Sequence, residues 1–189
     1  DCLPTSVSMV ISEITGSEVP AGDLVELANE NGFMTESGMS ADNTAALLDH
    51  YGIESTTSSG TLDDLREALD SGDPIIVGID SADVYNGGGG PFDPGMEAGH
   101  AVVITGIDDG PPGVVYINDP GFPDGAGLEI PLELFEDAWE DSENTMVTAT
   151  SGDLGATGGA GAAEGAGEDD DLLDAVRRVI FLPLNFVVV

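Results

Sequence analysis

The hydrophobic periodicity of this chain changes once, at Pro74, and that change limits the architectures open to its 189 residues. Ahead of it, apolar residues recur at helical spacing. Val7, Val10, Ile11 and Ile14 fall at i, i+3, i+4 and i+7, Pro4 suits a first turn and Gly16 a stop, which predicts a helix over 4–15. A second, over 21–30, turns Leu24, Leu27 and Ala28 inward. Ser40 caps a third over 41–51, ended by Gly52. Thr61 with Asp64 has the spacing of a capping box for a fourth, whose stripe is Leu62, Leu65, Ala68 and Leu69 and whose stop is Gly72. Beyond Pro74 the pattern becomes short β-branched runs: Pro74 to Asp80, Gly99 to Ile107, Gly113 to Asn118, Leu128 to Ile130 and Asn144 to Thr150. Asp108-Asp109-Gly110-Pro111-Pro112 is a turn signal that pairs the second and third runs as a hairpin. One helix, over 131–139, interrupts the strands, with Leu132, Phe135 and Trp139 on one side. Helices first and antiparallel strands later is an α+β order, not alternating βαβ.

Two segments stand apart. A long loop, Ser81 to Ala98, contains Gly87 to Gly90 and separates the first two strands; loops of that length are usually functional or mobile. From Ser151 to Gly167, 12 of 17 residues are Gly or Ala, the composition of a flexible linker. The expected organisation is therefore a domain over 1–150, a Gly/Ala-rich acidic linker over 151–171, and a short helix with an apolar tail over 172–189.

Charge excludes several partners. There are 37 acidic residues against three Arg and no Lys, a formal net charge of −34. Neither nucleic acid nor an anionic membrane surface suits such a chain, because both need basic groups to neutralise phosphate. Self-repulsion of this size destabilises a compact state at low ionic strength. An acidic, Lys-free surface suggests a salt-loving host; an ordinary acidic protein from a GC-rich genome is the alternative reading. The apolar run Val179 to Val189 is too short to span a bilayer, which takes roughly 20 residues. No signal peptide is visible, and a start at Asp1 without Met is expected of a fragment or processed form.

The chemistry-bearing residues are few. Cys2 is the one cysteine, which excludes an internal disulfide and, with two His, a Cys-rich zinc site. It stands just ahead of the first helix, where N–H groups and the dipole stabilise a thiolate. His100 opens an apolar strand and carries an imidazole, a group that when unperturbed titrates near neutral pH. Asp119 ends the next strand, in Asn118-Asp119-Pro120-Gly121, a good turn sequence in any protein. Each alone reads as structural. Together they are a nucleophile, a base, and an acid to orient the base, and a carboxylate can reach the imidazole across a hairpin. His50, at a helix C-terminus, reads as structural. Asp80, Asp83, Asp93 and Asp124 offer oxygen ligands for Ca²⁺ but lack EF-hand spacing, so solvated acidic loops are the better reading. Gly87 to Gly90 lacks the Lys-Ser/Thr and strand–helix context of a phosphate loop. No metal or cofactor is expected.

The blocks Asp1-Cys2-Leu3-Pro4-Thr5-Ser6, Gly99-His100-Ala101-Val102-Val103, Tyr116-Ile117-Asn118-Asp119-Pro120 and Leu132 to Trp139 occur in that order. In them the chain resembles the papain-like cysteine peptidases of the double-glycine-leader (bacteriocin-processing) type, over most of 1–150. The resemblance implies a papain-like α+β fold with N-terminal helices packed on a C-terminal antiparallel sheet. It implies Cys2 as nucleophile, His100 as general base and Asp119 as the group orienting the imidazole, with a peptide or protein as substrate. Two departures stand out. The family has a Gln a few residues before the Cys to help hold the oxyanion, where this sequence has only Asp1. Leu3 replaces the Gly that often follows the nucleophile and is expected to narrow the approach to the thiol. An inactive binding or regulatory module, and transglutaminase-like acyl transfer, are the alternatives.

The charge makes its own prediction. Raising NaCl shortens the Debye length from about 10 Å at 0.1 M to about 3 Å at 1 M. The thermal midpoint is expected to climb over that range, by calorimetry or circular dichroism; a midpoint flat in salt would show that self-repulsion does not limit stability.

Overall fold

The computed structural model describes residues 1–86 and 99–150. In chain order the elements are α1 (Cys2–Thr15), α2 (Ala21–Glu30), β1 (Met34–Thr35), β2 (Gly38–Met39), α3 (Thr44–His50), β3 (Ser55–Ser59), α4 (Leu62–Ser71) and β4 (Ile75–Asp80). There follow α5 (Ser81–Asn86), β5 (Gly99–Asp108), β6 (Val114–Asn118), β7 (Ala126–Pro131), α6 (Leu132–Glu140) and β8 (Thr145–Ala149). β1 and β2 form a small ribbon. The other strands make one antiparallel sheet in the order β3-β8-β4-β5-β6-β7, so the α+β expectation holds.

The helix ends obey local chemistry. Thr61 and Asp64 exchange the reciprocal hydrogen bonds of a capping box, and Gly72 ends α4 in the left-handed conformation at φ 76°. Gly16 ends α1 in the same way at φ 65°. Ser40 caps as expected, but over a 3₁₀ turn, Ala41–Asn43, that precedes α3. One part of the expected loop Ser81 to Ala98 is helical instead: α5 follows directly on β4. The remainder of that loop, and the expected linker and tail over 151–189, lie outside the described residues.

Both faces of the sheet are covered. On one, Leu3, Val7, Val10 and Ile11 of α1 pack with Leu24, Ala28, Leu47 and Leu48 against Ile76, Ala101, Val103 and Val147. On the other, Leu65 of α4 and Phe135, Ala138 and Trp139 of α6 pack against Ile75, Val77, Ile79, Val102, Ile104, Val115 and Ile117. Alternation along β4 and β5 sends odd and even residues to opposite cores, which is why these strands read as unbroken apolar runs. The helices α4 and α6 thus close the face that the N-terminal helices leave open. Together the two layers hide the apolar side chains beneath an acidic exterior.

α1 is tied to β5 by more than packing. The buried Ser6 Oγ donates to the Ala101 carbonyl at 3.2 Å. Ser6→Ala leaves that acceptor without its partner, and a loss of about 1–2 kcal/mol is expected in denaturant unfolding. A neutral substitution would mean that packing alone seats α1.

Candidate active site

Cys2 is the first residue of α1 rather than a residue ahead of it. Its sulfur therefore sits among the unpaired first-turn N–H groups, at the positive end of the helix dipole. Two groups of β5 reach it: the His100 ring and the Ala101 N–H, both hydrogen-bonded to the sulfur. Burial pushes the thiol's pKa up, but these hydrogen bonds and the attraction of the imidazolium outweigh it. The thiol consequently ionises below its ordinary range.

His100 is paired with Ile79 of β4 near the start of β5. Its Nε2 lies 2.7 Å from Asp119 Oδ1, which leaves Nδ1 for the sulfur. Burial pulls the imidazole down, yet hydrogen bonds to Asp119 and Cys2 more than reverse this, and its pKa rises from 6.5 to about 9. A value raised above that of free imidazole means that protonation of His100 stabilises the fold fully below about 6.5, and that this contribution fades as pH climbs through about 9.

Asp119 is held by its own turn. Just past β6, it accepts Gly121 N–H at Oδ1 over 2.6 Å, while its N–H donates to the Gly125 carbonyl over 2.8 Å. This is the Asx-type turn that Asn-Asp-Pro-Gly favours. The turn is tight: a Cβ on Gly125 would stand 2.0 Å from the Asp119 carbonyl oxygen, so a side chain does not fit there. Asp119 is 1% exposed. Burial raises its carboxyl, but hydrogen bonds from His100, Tyr85 and Gly121 hold it below the usual carboxylate range. All three residues singled out from sequence thus come together as one hydrogen-bonded series, Cys2–His100–Asp119.

Sequence reasoning missed Tyr85. It lies on α5, and its hydroxyl donates to Asp119 Oδ2. Burial and the neighbouring carboxylate push its phenol well above the usual range, so it stays a donor throughout the physiological span. Nothing in the local pattern Ser-Ala-Asp-Val-Tyr-Asn marks that role, since the contact spans 34 positions.

The other candidates fall elsewhere. His50 is an exposed residue ending α3, its ring edge-on to Tyr51 at 5.4 Å. Leu3 is buried in the core beside Val7, in the cluster against which Cys2 packs. Asp80 and Asp83 are buried, which corrects their reading as solvated loop residues, and they converge with Asp141 to within 4.8 Å. Such an all-oxygen group has the donor chemistry of a hard-cation site. Asp124 is exposed, and Asp93 lies outside the described residues. Among the described residues no helix is long and apolar enough to cross a membrane.

Comparison with known proteins bears on the family and the fold. Residues 1–147 match the Peptidase_C39 like family. Uncharacterized proteins of Mycobacterium tuberculosis and Mycobacterium bovis are 30% identical over 182 residues, covering 79% of this chain and 77% of theirs. Among solved structures, a C39-like peptidase from Bacillus anthracis superposes with a TM-score of 0.59 at 20% identity, covering 79% of this chain and 88% of that one. The peptidase domain of Streptococcus ComA, a bi-functional ABC transporter of a quorum-sensing pathway, gives 0.54 at 18%, covering 79% and 90%. At these identities the two structures establish the fold.

The carboxylate is expected to carry much of the elevation at His100. In Asp119→Asn, the ring's titration midpoint, read by NMR, should fall from about 9 toward 6.5. A midpoint unmoved by the substitution would show that Asp119 does not hold the imidazolium.

Proposed function

The chain belongs to the Peptidase_C39 like family, and on that premise we propose that it is a cysteine peptidase cleaving peptide bonds through Cys2, His100 and Asp119. Family and fold support a cysteine peptidase-type function. The observation that carries the assignment to residues is the unbroken hydrogen-bond series from sulfur to imidazole to carboxylate.

In this reading His100 takes the Cys2 proton, and the two rest as thiolate and imidazolium. The sulfur attacks the scissile carbonyl carbon, and the Cys2 backbone N–H, one of the unpaired donors of the first turn, faces the developing oxyanion. The imidazolium then hands its proton to the departing amine as the C–N bond breaks, leaving a thioester. His100 deprotonates a water, the hydroxide displaces the sulfur, and the acid is released with the thiolate restored. Asp119 keeps Nε2–H engaged throughout, so that Nδ1 remains the nitrogen exchanging protons. The substrate is a peptide or protein segment; the net charge of −34 disfavours polyanions.

Iodoacetamide labelling of Cys2 is expected to be rapid at pH 6, well below an ordinary thiol's range. Hydrolysis of an unfolded protein such as casein is expected to fall by about 10³-fold or more in Cys2→Ala and in His100→Ala. Labelling that rises only near pH 8–9 would identify a module that kept the fold without the chemistry. Amine incorporation in place of hydrolysis would identify acyl transfer instead.

A further inference from the structure

Asp119 is nearly sealed from water, and its carboxylate must be satisfied by protein groups. Oδ1 receives His100 Nε2 and Gly121 N–H. Oδ2 receives the Tyr85 hydroxyl. Donors on Oδ1 alone leave the carboxylate room to rock about its Cβ–Cγ bond, and the oxygen presented to the imidazole rocks with it. A donor on the far oxygen removes that freedom. Tyr85 is itself held: its ring leans on Phe122 with centroids 4.8 Å apart and planes at 59°. Phe122 belongs to the same turn as Asp119, and its carbonyl accepts Gly125 N–H at 3.1 Å. The turn that carries the carboxylate therefore also braces the phenol that grips it. Among the described residues, Tyr85 and Phe122 are the large hydrophobic side chains exposed to solvent, and they stand side by side against this relay.

We propose that Tyr85 is a positioning residue of the relay, its hydroxyl locking Asp119 so that Oδ1 meets His100 Nε2 and the opposite ring nitrogen meets the Cys2 sulfur. The proposal rests on the triad reading above. Tyr85 touches neither sulfur nor substrate and acts through the carboxylate alone. Among the described residues, the titratable groups facing that carboxylate are His100 from β5 and Tyr85 from α5, with Cys2 of α1 beyond the ring. The hydroxyl stabilises the ionised form, so its removal moves Asp119 protonation upward in pH, toward conditions in which the ion pair must survive.

Tyr85→Phe keeps the ring and its packing on Phe122 and deletes only the donor. Two readouts separate positioning from bracing. In carboxyl ¹³C NMR, the Asp119 midpoint is expected to rise by about one pH unit in Tyr85→Phe, the size of one hydrogen bond to a charged group. The iodoacetamide rate of Cys2 at pH 6 is expected to fall roughly three- to tenfold, and the same change made in Asp119→Asn is expected to have no further effect. An unmoved Asp119 midpoint would overturn the proposal, as would equal rate losses in both backgrounds, which would mark Tyr85 as a brace for α5. Failure of the triad itself would look different: wild-type Cys2 would label only near pH 8–9, while the Asp119 midpoint would still report on Tyr85.

Discussion

The contact between the start of α1 and the start of β5 is the constraint on which the site depends. Ala101 meets the helix with both of its backbone groups: its carbonyl accepts Ser6 Oγ, and its N–H donates to the Cys2 sulfur. His100, one residue earlier, is thereby brought to the same sulfur. A helix terminus and a strand terminus that share three hydrogen bonds and a packed core cannot slide independently. The partly buried thiol would ordinarily stay protonated, since burial penalises the charged form. Its ionisation is a property of the junction between two elements, not of the cysteine alone.

The fold also carries a division of labour in charge. The chain carries 37 acidic residues, yet the two cores flanking the sheet are built from aliphatic and aromatic side chains. Of the acidic residues, those that reach the interior are Asp80, Asp83 and Asp119 among the described residues. Asp119 is met there by an imidazolium, an amide and a phenol, so its charge is compensated by aimed dipoles and not by solvent. Among the described residues the other carboxylates are partly or fully exposed, where mobile ions can screen them.

Much of this was legible in the order of residues, and what was not has physical reasons. The capping box at Thr61 and the apolar runs of β4 and β5 depend on neighbours a few positions away, so pattern alone finds them. β3 did not show because Ser55–Ser59 is polar on both faces; among the described residues it is a sheet edge, paired only with β8, and has no apolar alternation to read. β1 and β2 are two residues each, below any periodicity. α5 is six residues abutting a glycine run and looks like loop. At the candidate site, the hydrogen-bonded series of Cys2, His100 and Asp119 could be anticipated because their residue types carry chemistry and their contexts resemble a family. Tyr85 was hidden because a tyrosine in a short helix has many uses, and only the folded chain shows its hydroxyl on Asp119. Likewise Asp80 ends β4 and Asp83 lies in α5 directly after it, and their burial shows only in the folded chain.

The pairing of β4 with β5 imposes a rule of parity on how such a chain can vary. His100 stands opposite Ile79, three rungs from the Ile76–Val103 pair, and adjacent side chains on a strand point to opposite faces. One residue inserted between His100 and Val103 would move the ring to the opposite face of the sheet or rupture the ladder. The hairpin's distal bend, Asp109 to Gly113, carries no such restriction, because length added there leaves the register of the paired rungs intact. Drift in loop length is thus open at one end of the hairpin and closed at the other.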